Sequence, residues 1–198
     1  MSNEIVIDIE TQNTFLDVGP GRHDKLKVSV VCLYNYADDK FSSFKENELN
    51  NLWPFLEKSD CIIGYNSRYF DLPVLNNYYS GDLNKFPQLD LLEEIKKTLG
   101  FRLKLNDVAA ATLGAQKSGN GLEAVEWFKK GEIDKIIKYC LDDVRITRDL
   151  YEYGKKNKQF FYPELASQTK RSFPVSLELP KIKNAGNDST KINLTLPF

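Results

Sequence analysis

The chain of 198 residues is long enough for one domain with a sizeable core, and its 41% hydrophobic and 28% charged residues are typical of a soluble globular protein. No apolar stretch approaches the ~20 residues that cross a bilayer and no secretory leader is recognisable, so we expect a cytoplasmic protein that does not bind membranes. The net charge of −1 does not by itself indicate a nucleic-acid partner, and a single histidine excludes a multi-histidine metal site.

Hydrophobic periodicity predicts the elements in chain order. Strands are expected over 5–12, 27–35, 40–44 and 61–66, the first three in an antiparallel meander. Helices are expected over 46–59, 70–79, 90–99, 105–113, 121–130 and 132–154. From about residue 156, short β-like runs separated by proline and polar residues predict a hairpin or edge strands. The pattern is typical of a mixed α/β domain.

Charge is unevenly distributed along this chain. Residues 155–198 contain eight Lys or Arg and three Asp or Glu, a net of +5, which leaves a net of −6 for residues 1–154. A basic C-terminal segment beside an acidic body suits contact with a polyanion, and it equally suits a solvated tail.

The first predicted strand, "IVIDIETQ", carries two acids on one face. Side chains alternate along a strand, so Asp8 and Glu10 point to the same side with their Cα atoms about 6.6 Å apart. Two carboxylates this close repel each other unless water or a cation lies between them. The pair indicates either a half-exposed strand with a wet face or a site for a divalent metal.

Two later segments carry further candidate acids. Asp71 in "YNSRYFDLPVL" is placed as an N-cap of the helix over 70–79, with Pro73 in its first turn, and it is also a candidate site residue. In "YCLDDVRIT", helical periodicity puts Asp142 in solvent and Asp143 at the edge of the core, on the same face as Tyr139. Asp143 can therefore point into a cleft.

Together, Asp-x-Glu (Asp8 and Glu10), Asn-x-x-x-Phe-Asp (ending at Asp71) and Tyr-x-x-x-Asp (Tyr139 and Asp143) resemble the three motifs of the DEDD 3′–5′ exonucleases. That superfamily has a ribonuclease-H-like fold and includes polymerase proofreading domains and ribonuclease D. Tyrosine in the third motif is typical of its tyrosine-type (DEDDy) subgroup. The stretch "KSGNGLEAVEWFKKGEIDKIIKYCLDDVRIT" is similar to predicted exonucleases related to the family B DNA polymerase proofreading domain.

The resemblance implies a ribonuclease-H-like domain over residues 1–154, with a mixed central β-sheet flanked by helices, and a small β-rich C-terminal extension over 155–198. It also implies two Mg²⁺ or Mn²⁺ ions as cofactors, which would neutralise four clustered carboxylates. By the same resemblance, Asp8 bridges both ions, Glu10 and Asp143 hold the ion that activates water, Asp71 supports the second ion, and Tyr139 positions the nucleophile.

The implied reaction is hydrolysis of phosphodiester bonds from the 3′ end of a single-stranded nucleic acid, DNA in preference to RNA. A separate polymerase or helicase is a candidate partner. Three alternatives stay open: an exoribonuclease, an inactive nucleic-acid-binding module of the same fold, and an α/β domain whose acids are coincidental. The expected substrate-binding residues are Phe15, Leu16, Asn66, Phe70 and Lys117. Phe15 could instead belong to the core, and the glycine-rich turn that follows Lys117 could lack a phosphate role.

Overall fold

Five strands form one mixed sheet in the order β3-β2-β1-β4-β5. The computed structural model describes residues 3–115, 121–164 and 169–180. The strands are β1 (Glu4–Thr11), β2 (Val28–Asn35), β3 (Lys40–Lys45), β4 (Cys61–Gly64) and β5 (Gln88–Asp90). β2 pairs antiparallel with β1 and β3, whereas β4 pairs parallel with β1 and β5. The predicted meander and the mixed sheet are confirmed.

The alternation predicted for β1 is also confirmed. Ile5, Ile7 and Ile9 pack into one apolar cluster, and Val6 packs into the other, on the opposite face of the sheet. Because β1 is the central strand, both of its faces are covered by helices and little of its side-chain surface reaches solvent. Asp8 and Glu10 therefore lie at the end of a strand that is otherwise core.

Helices cover both faces of the sheet. The long helix α7 lies across β1 and β2 on the Val6 face, together with α4, α5 and α6, and the short helices α2 and α3 lie on the other face. The helices are α1 (Phe15–Val18), α2 (Trp53–Glu57), α3 (Asp71–Leu75), α4 (Leu91–Leu99), α5 (Leu105–Leu113), α6 (Gly121–Lys129) and α7 (Ile133–Asn157).

The helix expected over 46–59 is divided in the structure. A 3-10 turn covers Glu46–Asn51, and α2 begins only at Trp53. Pro54 explains the division, because proline has no N–H to donate to the carbonyl four residues earlier and is tolerated in the first turn of a helix. The helix expected over 70–79 is also shorter, since α3 ends at Leu75.

A hairpin forms in the C-terminal segment as expected, although its second strand ends at Pro174 and the β-like run over 191–198 lies outside the described residues. β6 (Gln159–Glu164) and β7 (Thr169–Pro174) pair antiparallel as a separate two-stranded sheet. Phe160 is fully buried in the core, and the Thr112 hydroxyl of α5 accepts from the N–H of Phe161 at 2.9 Å and donates to its carbonyl at 3.2 Å. The hairpin is therefore docked on the body of the protein. Among the described helices, none has the length and apolar character required to span a bilayer.

Candidate active site

Three carboxylates from two elements meet at the end of the central strand. Asp8 and Glu10 come from β1, and Asp143 comes from the middle of α7. One carboxylate oxygen from each lies within 4.8 Å of those of the other two. Glu10 and Asp143 are 8% and 5% exposed, so this is a buried concentration of negative charge and not a surface patch.

The packing of α7 on β1 sets this arrangement. The thiol of Cys140 lies 3.3 Å from the carbonyl oxygen of Asp8, which joins helix and strand three residues before Asp143. Asp143 faces the sheet, whereas the adjacent Asp142 pairs with Arg145 along the outer side of the helix, at 2.5 Å. The helical periodicity of the sequence therefore distinguished these two acids correctly, although Asp142 is half-buried and not fully in solvent.

Tyr139 precedes Asp143 by one helical turn and lines a cavity together with Asp8 and Glu10. Its ring packs edge-on against Trp127 of α6, with centroids 5.9 Å apart. Burial raises the pKa of the phenol well above its ordinary value, and the charges of Asp143, Glu10 and Asp8 raise it further. Tyr139 is therefore a neutral hydroxyl at any physiological pH.

Asp71 is not the helix N-cap that the sequence predicts. Phe70 holds the N-cap position, without a side-chain cap, and the Asp71 carboxylate instead accepts a hydrogen bond from the backbone N–H of Ile9 at 3.1 Å. Asp71 is 3% exposed and lines the cavity. Burial raises the pKa of its carboxyl to about 8, with the charge of Asp90 as the next cause, while the N–H groups of Ile9 and of Asp71 itself oppose the rise.

Asp8, Glu10 and Asp71 line a cavity of about 510 Å³ with one aromatic wall, and Asp143 lies next to Asp8 and Glu10 but is not part of the lining. Phe15 and Phe70 line it and meet edge-on with centroids 5.8 Å apart, and the His23 ring lies 4.9 Å from that of Phe15. Leu122 and Val125 of α6 contribute apolar lining from another element. The cavity is therefore lined by acidic side chains together with aromatic and aliphatic ones.

Only some of the predicted substrate-binding residues that the structure describes line this cavity. Phe15, Asn66 and Phe70 line it. Phe15 also packs against the apolar cluster behind it, so its two predicted roles are compatible. Leu16, next to Phe15, is 91% exposed and is not part of the lining. Lys117 lies outside the described residues.

Sequence reasoning missed Asp90, which holds the loop that carries Asn66. The Asp90 carboxylate accepts from the backbone N–H groups of Asn66 at 2.9 Å and Arg68 at 3.0 Å, and it also caps α4 through the N–H of Leu92. Asn66 adopts a left-handed conformation (φ 68°), which asparagine tolerates better than most residues. An aspartate directly before the helical stretch "LLEEIKK" is an N-cap signal, but nothing in the sequence shows that it reaches the loop.

Arg102 was also missed. Its guanidinium donates to the side-chain oxygen of Asn66 at 2.5 Å and lies 5.8 Å from the ring centroid of Tyr69. Arg102 is 36 residues from Asn66 in sequence, in a loop for which no motif predicts contact with the site.

Comparisons with known proteins agree with this architecture. The RNase_H superfamily model (RNase_H_2) matches residues 5–154. The chain belongs to the RNase H superfamily. A search of curated proteins finds no match. The ribonuclease-H-like fold predicted from the three motifs is therefore confirmed, while the tyrosine-type subgroup stays a prediction.

Two solved structures resemble this RNase H superfamily member. The family B DNA polymerase of the hyperthermophilic archaeon Pyrobaculum calidifontis has a TM-score of 0.60 at 20% identity, and the match covers 78% of this chain and 25% of the polymerase. Trypanosoma brucei RNase D has a TM-score of 0.56 at 17% identity, with 77% of this chain and 57% of that one covered. At these identities the likeness concerns the fold, and the chain spans only part of either protein.

The donor set of this RNase H superfamily member fits a hard divalent cation. Asp8, Glu10 and Asp143 offer only carboxylate oxygens, the ligands that Mg²⁺ and Mn²⁺ prefer. The described residues that line the cavity include no lysine, arginine or histidine. Ionised carboxylates packed this closely in a buried site need positive charge nearby, and a divalent ion supplies it.

Proposed function

We propose that this protein is a metal-dependent 3′–5′ exonuclease that hydrolyses phosphodiester bonds from the 3′ end of single-stranded nucleic acid, DNA in preference to RNA, by a two-metal-ion mechanism. The observation that carries the proposal is the convergence of Asp8, Glu10 and Asp143 within 4.8 Å, beside a cavity that Asp8, Glu10 and Tyr139 line. Tyr139 precedes Asp143 by one helical turn. Membership of the RNase H superfamily supports a nuclease.

In this proposal the four acids hold the metal. Asp8, Glu10 and Asp143 are the ligands that lie together, and Asp71, which lines the same cavity, supports a second ion. Bound divalent ions would supply Lewis-acid stabilisation of the phosphodiester and a lowered pKa for the attacking water. The backbone bond from Ile9 orients Asp71, so the protein fixes the acids before a substrate arrives.

Tyr139 acts as a hydrogen-bond donor and not as a base. Because its pKa is raised above that of free tyrosine, the phenol keeps its proton at neutral pH and can donate to the attacking water or to a phosphate oxygen. The packing of its ring against Trp127 fixes the position of the donating oxygen.

The aromatic wall suits a terminal nucleotide whose base is unstacked. Phe15 and Phe70 offer ring surface beside the acids, and every base has a face that can pack against them. A duplex would keep its bases inside the stack, which favours a single strand. The likeness to an RNase D keeps RNA as the second candidate substrate.

The test uses single-stranded DNA and RNA of one sequence, each labelled at the 5′ end, with Mn²⁺ or Mg²⁺ and with EDTA. Asp143→Asn is the inactivating variant, and Asp142→Asn, the adjacent acid on the outer side of the same helix, is the matched control. We expect a metal-dependent ladder that shortens one nucleotide at a time, retained in Asp142→Asn and reduced at least about a hundredfold in Asp143→Asn, since metal sites supply several kcal/mol.

Each possible result of this test distinguishes between two of the hypotheses. Faster degradation of RNA would replace the DNA preference with the exoribonuclease alternative. Intact oligonucleotides under every condition would overturn the exonuclease proposal and favour the inactive binding module. Equal rates in Asp142→Asn and Asp143→Asn would show that this carboxylate cluster is not the site.

A further inference from the structure

The edge of the active-site cavity carries an arginine and a tyrosine that the proposed catalytic steps do not use. Arg102 and Tyr69 come from two loops and meet with the guanidinium 5.8 Å from the ring centroid. Both are exposed, and Tyr69 keeps 55% of its surface accessible. Asn66, which accepts from Arg102, lines the cavity itself, so the pair lies next to a residue of the cavity wall.

The guanidinium of Arg102 contacts two neutral side chains. Its contacts are the Asn66 side-chain oxygen and the face of Tyr69, and within the described part of the chain it forms no ion pair with a carboxylate. The other arginines nearby differ in this respect, since Arg68 pairs with Glu93 at 3.4 Å and Arg22 with Asp24 at 2.8 Å. Arg102 therefore keeps donors and a full positive charge for an anionic ligand.

Arg102 also determines how the Asn66 amide is oriented. Arginine can only donate hydrogen bonds, so the amide oxygen of Asn66 faces the guanidinium and its NH₂ group lies on the opposite side of the amide. Together the two side chains present several N–H donors and one positive charge to a ligand that bridges them. These donors and this charge suit an anionic oxygen, such as that of the next phosphate of a chain.

The loops on both sides are fixed, so the pair is a preformed surface. Asp90 binds the N–H groups of Asn66 and Arg68, which flank the start of the Tyr69 loop. The Tyr65 hydroxyl donates to the carbonyl of Leu103 at 2.9 Å, which ties the Arg102 loop to the end of β4. The ring of Tyr69 also packs edge-on against His23 at 5.3 Å.

We infer that Arg102 and Tyr69 form a subsite for the nucleotide that follows the terminal one, in which Arg102 binds a backbone phosphate and Tyr69 stacks on a base. The inference rests on the proposed function and narrows it, because a subsite made of one cation and one exposed ring recognises a flexible single strand of any sequence. Arg102 is at the same time a positioning residue for Asn66.

The test measures binding of a 5′-fluorescein single-stranded DNA by anisotropy at several salt concentrations, with Ca²⁺ in place of Mg²⁺ and with a gel to verify that the strand stays intact. The variants are Arg102→Gln, Arg102→Lys and Tyr69→Ala. Arg148→Gln is the matched control, because Arg148 lies over the Tyr34 ring at 4.8 Å in a different part of the protein. Thermal melts verify that each variant folds.

We expect Arg102→Gln to lower the magnitude of the salt slope by about 0.7, the value for one phosphate contact on a single strand. Arg102→Lys should restore that slope, and Arg148→Gln should leave it unchanged. We expect Tyr69→Ala to weaken binding about tenfold, as for the loss of one stacked base.

Chemically modified strands distinguish direct contact with Arg102 or Tyr69 from a merely structural role of these residues. Only a direct contact makes binding depend on which position of the strand is modified. A neutral methylphosphonate placed at successive positions from the 3′ end should weaken wild-type binding at one internal position, and Arg102→Gln should be insensitive there. An abasic nucleotide at successive positions should give the same pattern for Tyr69→Ala.

If the wild-type protein binds and degrades the strand while Arg102→Gln keeps the wild-type slope and the same sensitive phosphate, the subsite is wrong and the proposed function stands. If Arg102→Gln does not fold, Tyr69→Ala decides, and an unchanged abasic pattern overturns the subsite. If the wild-type protein neither binds nor degrades the strand, the proposed function itself fails.

Discussion

The Asp71 carboxylate accepts a hydrogen bond from the backbone N–H of Ile9 at 3.1 Å, and this contact ties the second motif to the strand that carries the first. Ile9 lies between Asp8 and Glu10, so the bond fixes the strand where two of the clustered acids emerge. Asp71 is therefore coupled to Asp8 and Glu10 through a backbone hydrogen bond as well as through charge.

Asp71 should make the metal-free protein lose stability as pH rises. Its carboxyl has a pKa of about 8 when folded, against 3.8 as the ordinary value, so between these two values the folded state binds more protons than the unfolded state. The free energy of unfolding must then fall with rising pH, by at most about 1.4 kcal/mol per pH unit. We expect this decline in urea unfolding at pH 5, 6, 7 and 8 in EDTA.

Asp71→Asn separates this effect from other titrations. The amide oxygen can still accept from Ile9, and the group no longer titrates, so the decline should flatten. Asp38→Asn, an exposed acid on another loop, should keep it. A wild-type protein whose stability is constant or rises across this range in EDTA would contradict the raised pKa.

Tyr139→Phe should reduce the rate of hydrolysis by about ten- to a hundredfold, the range typical of groups that orient a metal site. The ring keeps its contact with Trp127, so the midpoint of thermal unfolding should change little. The measurement is the single-turnover rate on labelled single-stranded DNA, with Asp142→Asn as the reference for a silent change on the same helix. A rate equal to wild type would remove Tyr139 from the mechanism.

The pH profile provides a second test of Tyr139. Because its pKa lies well above the ordinary value of 10.0, the phenol should not ionise below pH 10. Wild type and Tyr139→Phe should therefore give profiles of the same shape between pH 6 and 10, at different heights. A basic limb present in the wild-type profile and absent from Tyr139→Phe would show that the phenol titrates.

Asp90→Asn should weaken both stability and activity. Asparagine can accept with only one atom, so its NH₂ group would face a backbone N–H in place of one of the bonds to Asn66 or Arg68. Losing a bond to a charged, buried group costs about 1.5–3 kcal/mol, and the displaced Asn66 should raise KM for the strand. Urea unfolding and steady-state kinetics measure the two effects.

Asp82 offers the matched control for Asp90. It also accepts from a backbone N–H at the start of a short helical turn, that of Asn84 at 3.0 Å, but on an exposed loop outside the cavity lining. Asp82→Asn should cost less stability and leave KM unchanged. Equal effects of the two substitutions would show that Asp90 is only a helix cap.

The local parts of the site could be predicted from the sequence because they depend on periodicity. Alternation along β1 put Asp8 and Glu10 on one side, and 100° per residue distinguished Asp143 from Asp142. Both rules act within one element. They require no knowledge of how the elements pack, so the structure confirms which side each of these four acids faces.

Contacts between elements could not be predicted in this way. Asp71 looked like a cap because aspartate before a helix usually is one, but its partner is Ile9, 62 residues earlier. Arg102 and Asp90 reach the site through loops whose course depends on the order of the strands. Pro54 shortened a helix whose apolar spacing continued unbroken through it.

The C-terminal hairpin should contribute to the stability of the whole fold, although the sequence predicts it as an extension. Phe160 is fully buried, and Gly154 of α7 lets its ring approach, since a Cβ on Gly154 would lie 2.8 Å from that ring. Phe160→Ala should therefore cost about 3–5 kcal/mol by leaving a cavity in the core. Urea unfolding of the full chain measures this loss.

Phe161→Ala is the matched control. Phe161 is half-buried and its backbone bonds to Thr112 remain, so this substitution should cost less. A loss below about 1 kcal/mol for Phe160→Ala, or one no larger than for Phe161→Ala, would mean that the hairpin only covers the surface of α5 and that residues 1–154 hold the core alone.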